Sequence, residues 1–153
     1  MRHHLASFGI GFVTGLRSMT AVAALSWAAA SGRTRIGWIP TGTRLRALAA
    51  AAALSEMAGD KMPFAPDRRI APSFLVRLAI GAVGGASLAG KASVSGGALS
   101  GIAGAVVGTF LGRAARGANT RTGADWARAL TEDTVAAGLA VALVCLSERR
   151  RPA

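Results

Sequence analysis

Apolar residues run along this chain in five long stretches, separated by shorter segments that carry most of the charged residues. The third and fourth stretches have no polar face, which favours helices that are apolar on every side over amphipathic ones. In the first stretch a single arginine, Arg17, permits either one tilted helix or two half-helices that meet between Gly15 and Ser18. The predicted helices cover Leu5–Ala30, Thr43–Gly59, Ser73–Gly90, Gly96–Gly112 and Asp125–Ser147.

The length and apolarity of these helices predict a protein that crosses a membrane. A hydrocarbon core of about 30 Å needs roughly 20 residues of helix, and a soluble bundle would need polar faces. We therefore expect an all-α, polytopic transmembrane bundle with five spans, a single domain over residues 1–153 of the inner (plasma) membrane. A cleaved signal peptide is the alternative for the first stretch, but Arg17 directly behind the apolar region argues against it.

The composition agrees with a membrane protein and excludes several other classes. Hydrophobic residues make up 52% of the chain and charged residues 16%, against about 25% charged residues in soluble domains. A disulfide scaffold is excluded because Cys145 is the single cysteine. The two histidines, His3 and His4, lie at the N-terminus, so we expect no zinc site and no Ser/His/Asp catalysis. We also expect no cofactor and no enzymatic activity, with an integral-membrane lipid enzyme as the alternative.

The net charge of +11 raises the question of nucleic-acid binding. The basic residues are mainly arginines that lie between the apolar stretches, and no aromatic residues interleave with them to stack on bases. Basic loops beside apolar helices favour anionic lipid headgroups. We therefore expect membrane lipid as a partner and no nucleic acid. Five spans would leave the basic residues nearly balanced between the two sides, so the positive-inside rule does not set an orientation.

Glycines at four-residue spacing form faces on several predicted helices. Gly104, Gly108 and Gly112 lie on one face, and such faces let helix backbones approach closely in lipid. This predicts packing between helices of one chain, with a homo-oligomer contact through the same three glycines as the alternative.

A weak internal repeat is also present. The segment Gly11–Gly15 resembles Gly104–Gly108, and Ala53–Glu56 resembles Ala129–Glu132. With five spans the two glycine helices would run in opposite directions, as in the inverted repeats of transporters.

Charged residues within the predicted spans are the main functional signal. A central Arg or Asp costs about 2.5–3.5 kcal/mol to insert, so these residues are expected to face the bundle interior and to pair. Depth along the helices predicts that Arg17 meets Glu56 and also Glu132, whereas Arg77 is expected to reach the membrane surface. The candidate site comprises Arg17, Ser18, Glu56, Asp60, Lys61, Glu132 and Asp133.

The leading hypothesis is a transporter- or channel-like component that binds an unidentified small solute or ion. In it Arg17 is an anion contact or a counter-ion, Glu56 and Glu132 accept protons or cations, and Asp60 with Lys61 controls access at the nearby surface. The alternative is a membrane scaffold or assembly protein whose buried ion network only specifies helix packing.

Four motifs of this chain together resemble the pattern of a known family. They are Thr14-Gly-Leu-Arg-Ser18, Glu56-x-x-x-Asp60-Lys61-x-Pro63, Gly81-Ala-Val-Gly-Gly85 and Glu132-Asp133. From Gly11 to Leu143 the chain resembles a family of small bacterial membrane proteins catalogued as domain of unknown function 4126. The resemblance implies a membrane setting and no particular reaction. It also marks Arg17, Glu56, Asp60 and Lys61 as the motif positions expected to carry function.

Overall fold

The computed structural model describes residues 2–34, 37, 39, 41–59, 71–89, 93–116 and 123–146, and the regular structure in these ranges is entirely helical. The first predicted stretch is divided at Arg17, so the five predicted helices become six. The six helices are α1 (Arg2–Leu16), α2 (Ser18–Ala30), α3 (Thr43–Gly59), α4 (Ala71–Ser87), α5 (Val94–Arg116) and α6 (Gly123–Leu146).

Helices α1 and α2 form a hairpin rather than one long helix. Ile10 of α1 and Leu25 of α2 both pack against Gly84, within 3.3 Å of the place where its Cβ would stand. The two side chains lie at nearly equal distances along the sequence from Arg17, so the chain folds back at this residue. At its other end α2 stops at Ala30, and the left-handed φ of 66° at Gly32 lets the N–H of Arg33 bond to the carbonyl of Ala28 at 2.8 Å.

Each helix reverses the direction of the one before it. Helix α3 runs back along α2, since Arg46 lies over Trp27 near its start and Glu56 reaches Ser18 near its end. Helix α6 runs along α2, since Asp133 meets Arg17 and Arg33 donates to the carbonyl of Cys145. We call the end of the bundle that holds Arg17 the tip end, and the opposite end, where α1 starts and α6 stops, the terminal end.

Helices α1 and α5 run in the same direction, which contradicts the predicted inverted repeat. His4 lies 3.2 Å from Ser100, and Leu16 lies beside Gly112 at the other end of the pair. The expectation failed because it treated the first stretch as one span. With α2 folded back, one more reversal separates the two glycine helices, and they become parallel.

Glycines bring the backbones of α1, α4 and α5 into direct contact. A Cβ on Gly11 would overlap the backbone of Gly101, and one on Gly101 would overlap the carbonyl of Gly81. Gly104 and Gly108 are used in the same way against α1, where a Cβ would overlap the carbonyls of Phe8 and Phe12 respectively, and Gly112 lies against Leu16. The three glycines predicted as a possible contact between copies therefore pack against α1 of the same chain. A homo-oligomer stays a prediction, and it would have to form through another surface.

Buried charged side chains and exposed large apolar side chains occur together in the described residues. Arg17, Arg77 and Asp133 are buried. Large apolar side chains such as Leu48, Leu99 and Val141 are about two-thirds exposed. Among the described helices α5 is long and apolar enough, over Val94–Ala114, to cross a membrane, while parts of α1, α2 and α4 are apolar but shorter.

Candidate functional site: a charged cluster at a helix break

The site is organised around the single residue that separates α1 from α2. Arg17 has an extended backbone with φ −146° and ψ 103°, and its side chain is fully buried. A helix end leaves carbonyls or N–H groups without helical partners. The break therefore places the carbonyl end of α1 and the N–H end of α2 next to each other inside the protein, where water cannot easily satisfy them.

Glu56 of α3 binds the N–H end of α2. Its Oε1 accepts a hydrogen bond from the backbone N–H of Ser18 at 3.0 Å, and its Oε2 accepts one from Met19 at 2.8 Å. A carboxylate is favourable here because the N-terminus of a helix carries a partial positive charge. Ser18, expected as a site residue, takes part through its backbone in this contact.

Arg77 of α4 binds the carbonyl end of α1. Its Nη1 donates to the carbonyl oxygens of Thr14 at 3.1 Å and Gly15 at 2.9 Å, where the helix carries a partial negative charge. Its Nη2 lies 3.7 Å from Oε1 of Glu56. The expectation that Arg77 reaches the membrane surface was wrong: the residue is 5% exposed, because two free carbonyls inside the bundle attract the guanidinium.

The Arg17 side chain pairs with α6. Its Nη2 lies 2.5 Å from Oδ1 of Asp133. Sequence reasoning expected Glu132 as the partner on this helix, but Asp133 shares its helix face with the buried small residues Ala136 and Ala140, and this face packs inward. Glu132 is half-buried and lies against α5, with Oε1 3.5 Å from the place of a Cβ on Gly112.

We call Arg17, Glu56, Arg77 and Asp133 the charged cluster. Its charges are two positive and two negative, and each group contacts an opposite charge or a helix end of opposite partial charge. The cluster lies away from the middle of the bundle, since Leu16, next to Arg17, is level with Gly112 near the tip end of α5. Of the other predicted site residues, Asp60 and Lys61 lie outside the described residues.

Arg77 is the member of the cluster that sequence reasoning missed, although a signal was present. Arg77, Gly81 and Gly85 follow one another at four-residue spacing, so they share a helix face. Gly81 and Gly85 mark that face as the one in contact with other backbones. A residue on it cannot point towards lipid, and the glycine spacing thus assigns Arg77 to the interior.

The described residues contain no candidate metal site, and the comparisons reveal no relationship to known proteins. Within the described ranges no three His, Cys, Asp or Glu side chains lie together in a way that could hold a metal ion. Comparisons with protein-family models, curated proteins and solved structures find no match for this chain. The resemblance to the family of unknown function therefore stays a prediction.

Proposed function

We propose that this chain is a multi-pass protein of the inner membrane and that its charged cluster moves a proton or a small ion. The membrane part of the proposal is supported by large apolar side chains on the exterior and by charged side chains in the interior. In lipid, exposed leucines and valines are in a favourable environment, while buried charges must pair. Short apolar helices such as α1 and α2 fit a hairpin that enters a bilayer and returns, since about 20 residues are needed to cross it.

The observation that carries the transport hypothesis is the position of Glu56. Its side chain is 17% exposed, more than that of Arg17, Arg77 or Asp133. It is held by two backbone N–H groups and by one ion pair of 3.7 Å. Glu56 is thus the carboxylate of the cluster that can leave its place with the least rearrangement. Discontinuous helices whose ends bind ions are a recurring feature of transporters.

In the proposed cycle, Glu56 carries the proton, and Arg77 and two backbone N–H groups bind the ion. With Glu56 ionised, the carboxylate binds the N–H end of α2 and Arg77. Taking up a proton from the tip end removes its charge, which weakens both contacts. The released N–H groups of Ser18 and Met19, together with Arg77, then attract an anion. When Glu56 gives its proton up towards the terminal end, its carboxylate returns to these groups and displaces the anion.

Flux into liposomes tests this hypothesis. We expect purified protein to dissipate a proton gradient in the presence of a permeant small ion, and Glu56→Gln to abolish this activity while the protein remains folded. Ser55→Ala, an exposed neighbour on the same helix, is the matched control and keeps full activity. A folded Glu56→Gln variant with the wild-type flux would contradict the role of Glu56.

The scaffold function is favoured by a different observation, namely that all four charges of the cluster have partners in the chain. In that case the cluster only fixes the helix packing. The same experiment separates the two functions. A scaffold predicts no flux from the folded wild-type protein with any ion of a broad panel, and a loss of Glu56→Gln protein from the membrane.

Topology mapping tests the membrane arrangement by itself. Six helices that alternate in direction place both chain ends on one side of the membrane, whereas five spans place them on opposite sides. We expect reporters fused to either end to give the same signal, and a reporter inserted at residues 117–122 to give the opposite one. Chain ends on opposite sides would contradict the α1–α2 hairpin.

A further inference from the structure

The corner between the end of α2 and the beginning of α3 combines an aromatic ring with two arginines. Trp27 is 53% exposed, and the guanidinium of Arg46 lies 4.9 Å from the centre of its ring. Nη2 of Arg46 donates to the hydroxyl of Thr43 at 3.3 Å. Arg44, two residues before Arg46, is exposed. This corner lies at the terminal end of the bundle, away from the charged cluster.

Among the described residues, no acidic side chain near this corner balances its positive charge. Helix α2 contains no Asp or Glu, and the first acidic residue of α3 is Glu56. Glu56 lies ten residues beyond Arg46, about 15 Å along the helix, and binds α2 at the tip end. In the described part of the chain neither Arg44 nor Arg46 is paired with a carboxylate.

The surface next to these arginines is apolar. Leu45 is 50% exposed and Leu48 is 64% exposed. Leu48 follows Arg44 by four residues, so the two side chains share a face of α3. Because α3 runs from this corner into the bundle, Leu48 lies about one helical turn deeper than Arg44.

We propose that Trp27, Arg44 and Arg46 form a binding site for the headgroup of an anionic phospholipid, a proposal that rests on the membrane location proposed above. The guanidinium groups bind the phosphate oxygens of the headgroup, for which their planar donor geometry is suited. Trp27 lies at the level of the headgroups, where indole rings are enriched, and holds Arg46 in place by a cation–π contact. The acyl chains lie along Leu45 and Leu48.

The apolar surface is the reason for a lipid as the occupant rather than free phosphate or a nucleic acid. Neither of these would cover Leu45 and Leu48, and a nucleic acid needs a longer series of basic and aromatic residues. One phospholipid molecule can cover both the arginines, with its headgroup, and the exposed leucines, with its acyl chains. Its negative charge also complements the two arginines.

Native mass spectrometry of the full-length protein, released from mixed micelles, tests the site. The micelles contain phosphatidylglycerol and phosphatidylcholine with identical acyl chains in equal amounts. We expect wild-type protein to retain phosphatidylglycerol about tenfold over phosphatidylcholine, and R44Q/R46Q to lose this preference. R113Q/R128Q is the matched control, because it removes the same charge from two exposed arginines on α5 and α6 and should keep the preference.

A second measurement locates the lipid and does not depend on the arginine variants. In a Trp38→Phe/Trp126→Phe background, phosphatidylglycerol with brominated chains should quench the fluorescence of Trp27 more strongly than brominated phosphatidylcholine. Equal quenching by the two lipids would overturn the proposal, as would an undiminished preference in a folded R44Q/R46Q protein or an equal loss in R113Q/R128Q. A wild-type protein that stays in solution without detergent would instead refute the membrane location itself.

Discussion

Two regions of the bundle hold neighbouring helices together in opposite ways. Where α1, α4 and α5 meet, side chains are absent, and the backbones of Gly11, Gly81 and Gly101 are in contact. Around the break between α1 and α2, charged side chains are inserted between the helices. In the first region the helices pack closely because glycine has no side chain. In the second region they pack because the charged side chains pair with opposite charges and with the helix ends.

This difference determines how each region should respond to substitution. A glycine contact has no room for one more carbon, so even the smallest side chain separates the helices. A charged contact fails when one partner is lost, but it can be replaced when both partners are exchanged for apolar groups of similar size. The two regions can therefore be told apart by whether a second substitution restores stability.

The largest effect is expected at the glycine contact. In Gly101→Ala the added Cβ would overlap the carbonyl of Gly81. Because this carbonyl is part of the helix backbone and cannot rotate away as a side chain can, helices α4 and α5 must move apart. We expect this substitution to lower the free energy of unfolding more than any other considered below, beyond the roughly 1–3 kcal/mol typical of an overpacked core. Unfolding of the purified protein in mixed micelles measures it.

Gly138→Ala is the control for this substitution. A Cβ at Gly138 would meet nothing within 4 Å, and alanine favours a helix over glycine by about 1 kcal/mol. This variant should be as stable as wild type or slightly more stable. Similar losses in both variants would mean that the effect comes from helix propensity and not from backbone contact.

The next effect concerns the buried pair on α1–α2 and α6. Arg17→Met leaves the Asp133 carboxylate without the guanidinium that lies 2.5 Å from it, and removal of one partner of a buried pair costs about 3–5 kcal/mol. The double variant Arg17→Met/Asp133→Leu should recover most of this loss. If it does not, the pair is required for more than charge balance, and rescue by a second substitution would no longer distinguish the two regions.

The glycine region was the easier one to predict from sequence. Four-residue spacing alone indicated which faces of α1, α4 and α5 pack closely, and the bounds of α3, Thr43–Gly59, agree with those predicted. Spacing works here because it is a property of one helix and needs no knowledge of its partner.

The charged cluster was predicted only in part. Arg17 was correctly expected to be buried and paired, but its partner on α6 and the direction of α2 depend on the backbone angles of one residue, which no pattern encodes. The binding of Glu56 to backbone N–H groups was also missed, because such groups become available only once the helix is known to end at Arg17.

A smaller effect is expected from the contact between Glu56 and α2. Glu56→Ala removes two hydrogen bonds from the N–H end of the helix and should cost about 1–2 kcal/mol, as for other N-terminal caps. The loss of the 3.7 Å contact with Arg77 should add little, because Arg77 keeps its two backbone carbonyl acceptors. Glu56→Gln keeps one oxygen and should lose less. The free energies of unfolding of both variants are measured with Ser55→Ala as the control. If Glu56→Gln loses as much stability as Glu56→Ala, then the charge of Glu56, rather than its hydrogen bonds, stabilises the break.

The smallest effect tests whether polar capping stabilises helix ends away from the cluster. Nη1 of Arg33 donates to the carbonyls of Val144 at 2.8 Å and Cys145 at 2.7 Å at the end of α6. A cation at this end of a helix contributes about 0.3–1 kcal/mol, so Arg33→Gln should increase amide hydrogen exchange over residues 140–146 and leave α5 unchanged. Arg44→Gln, which removes an exposed charge at the same end of the bundle, should not alter exchange in α6. Equal changes in both variants would show that the net charge of the terminal end, and not the two hydrogen bonds, holds α6 in place.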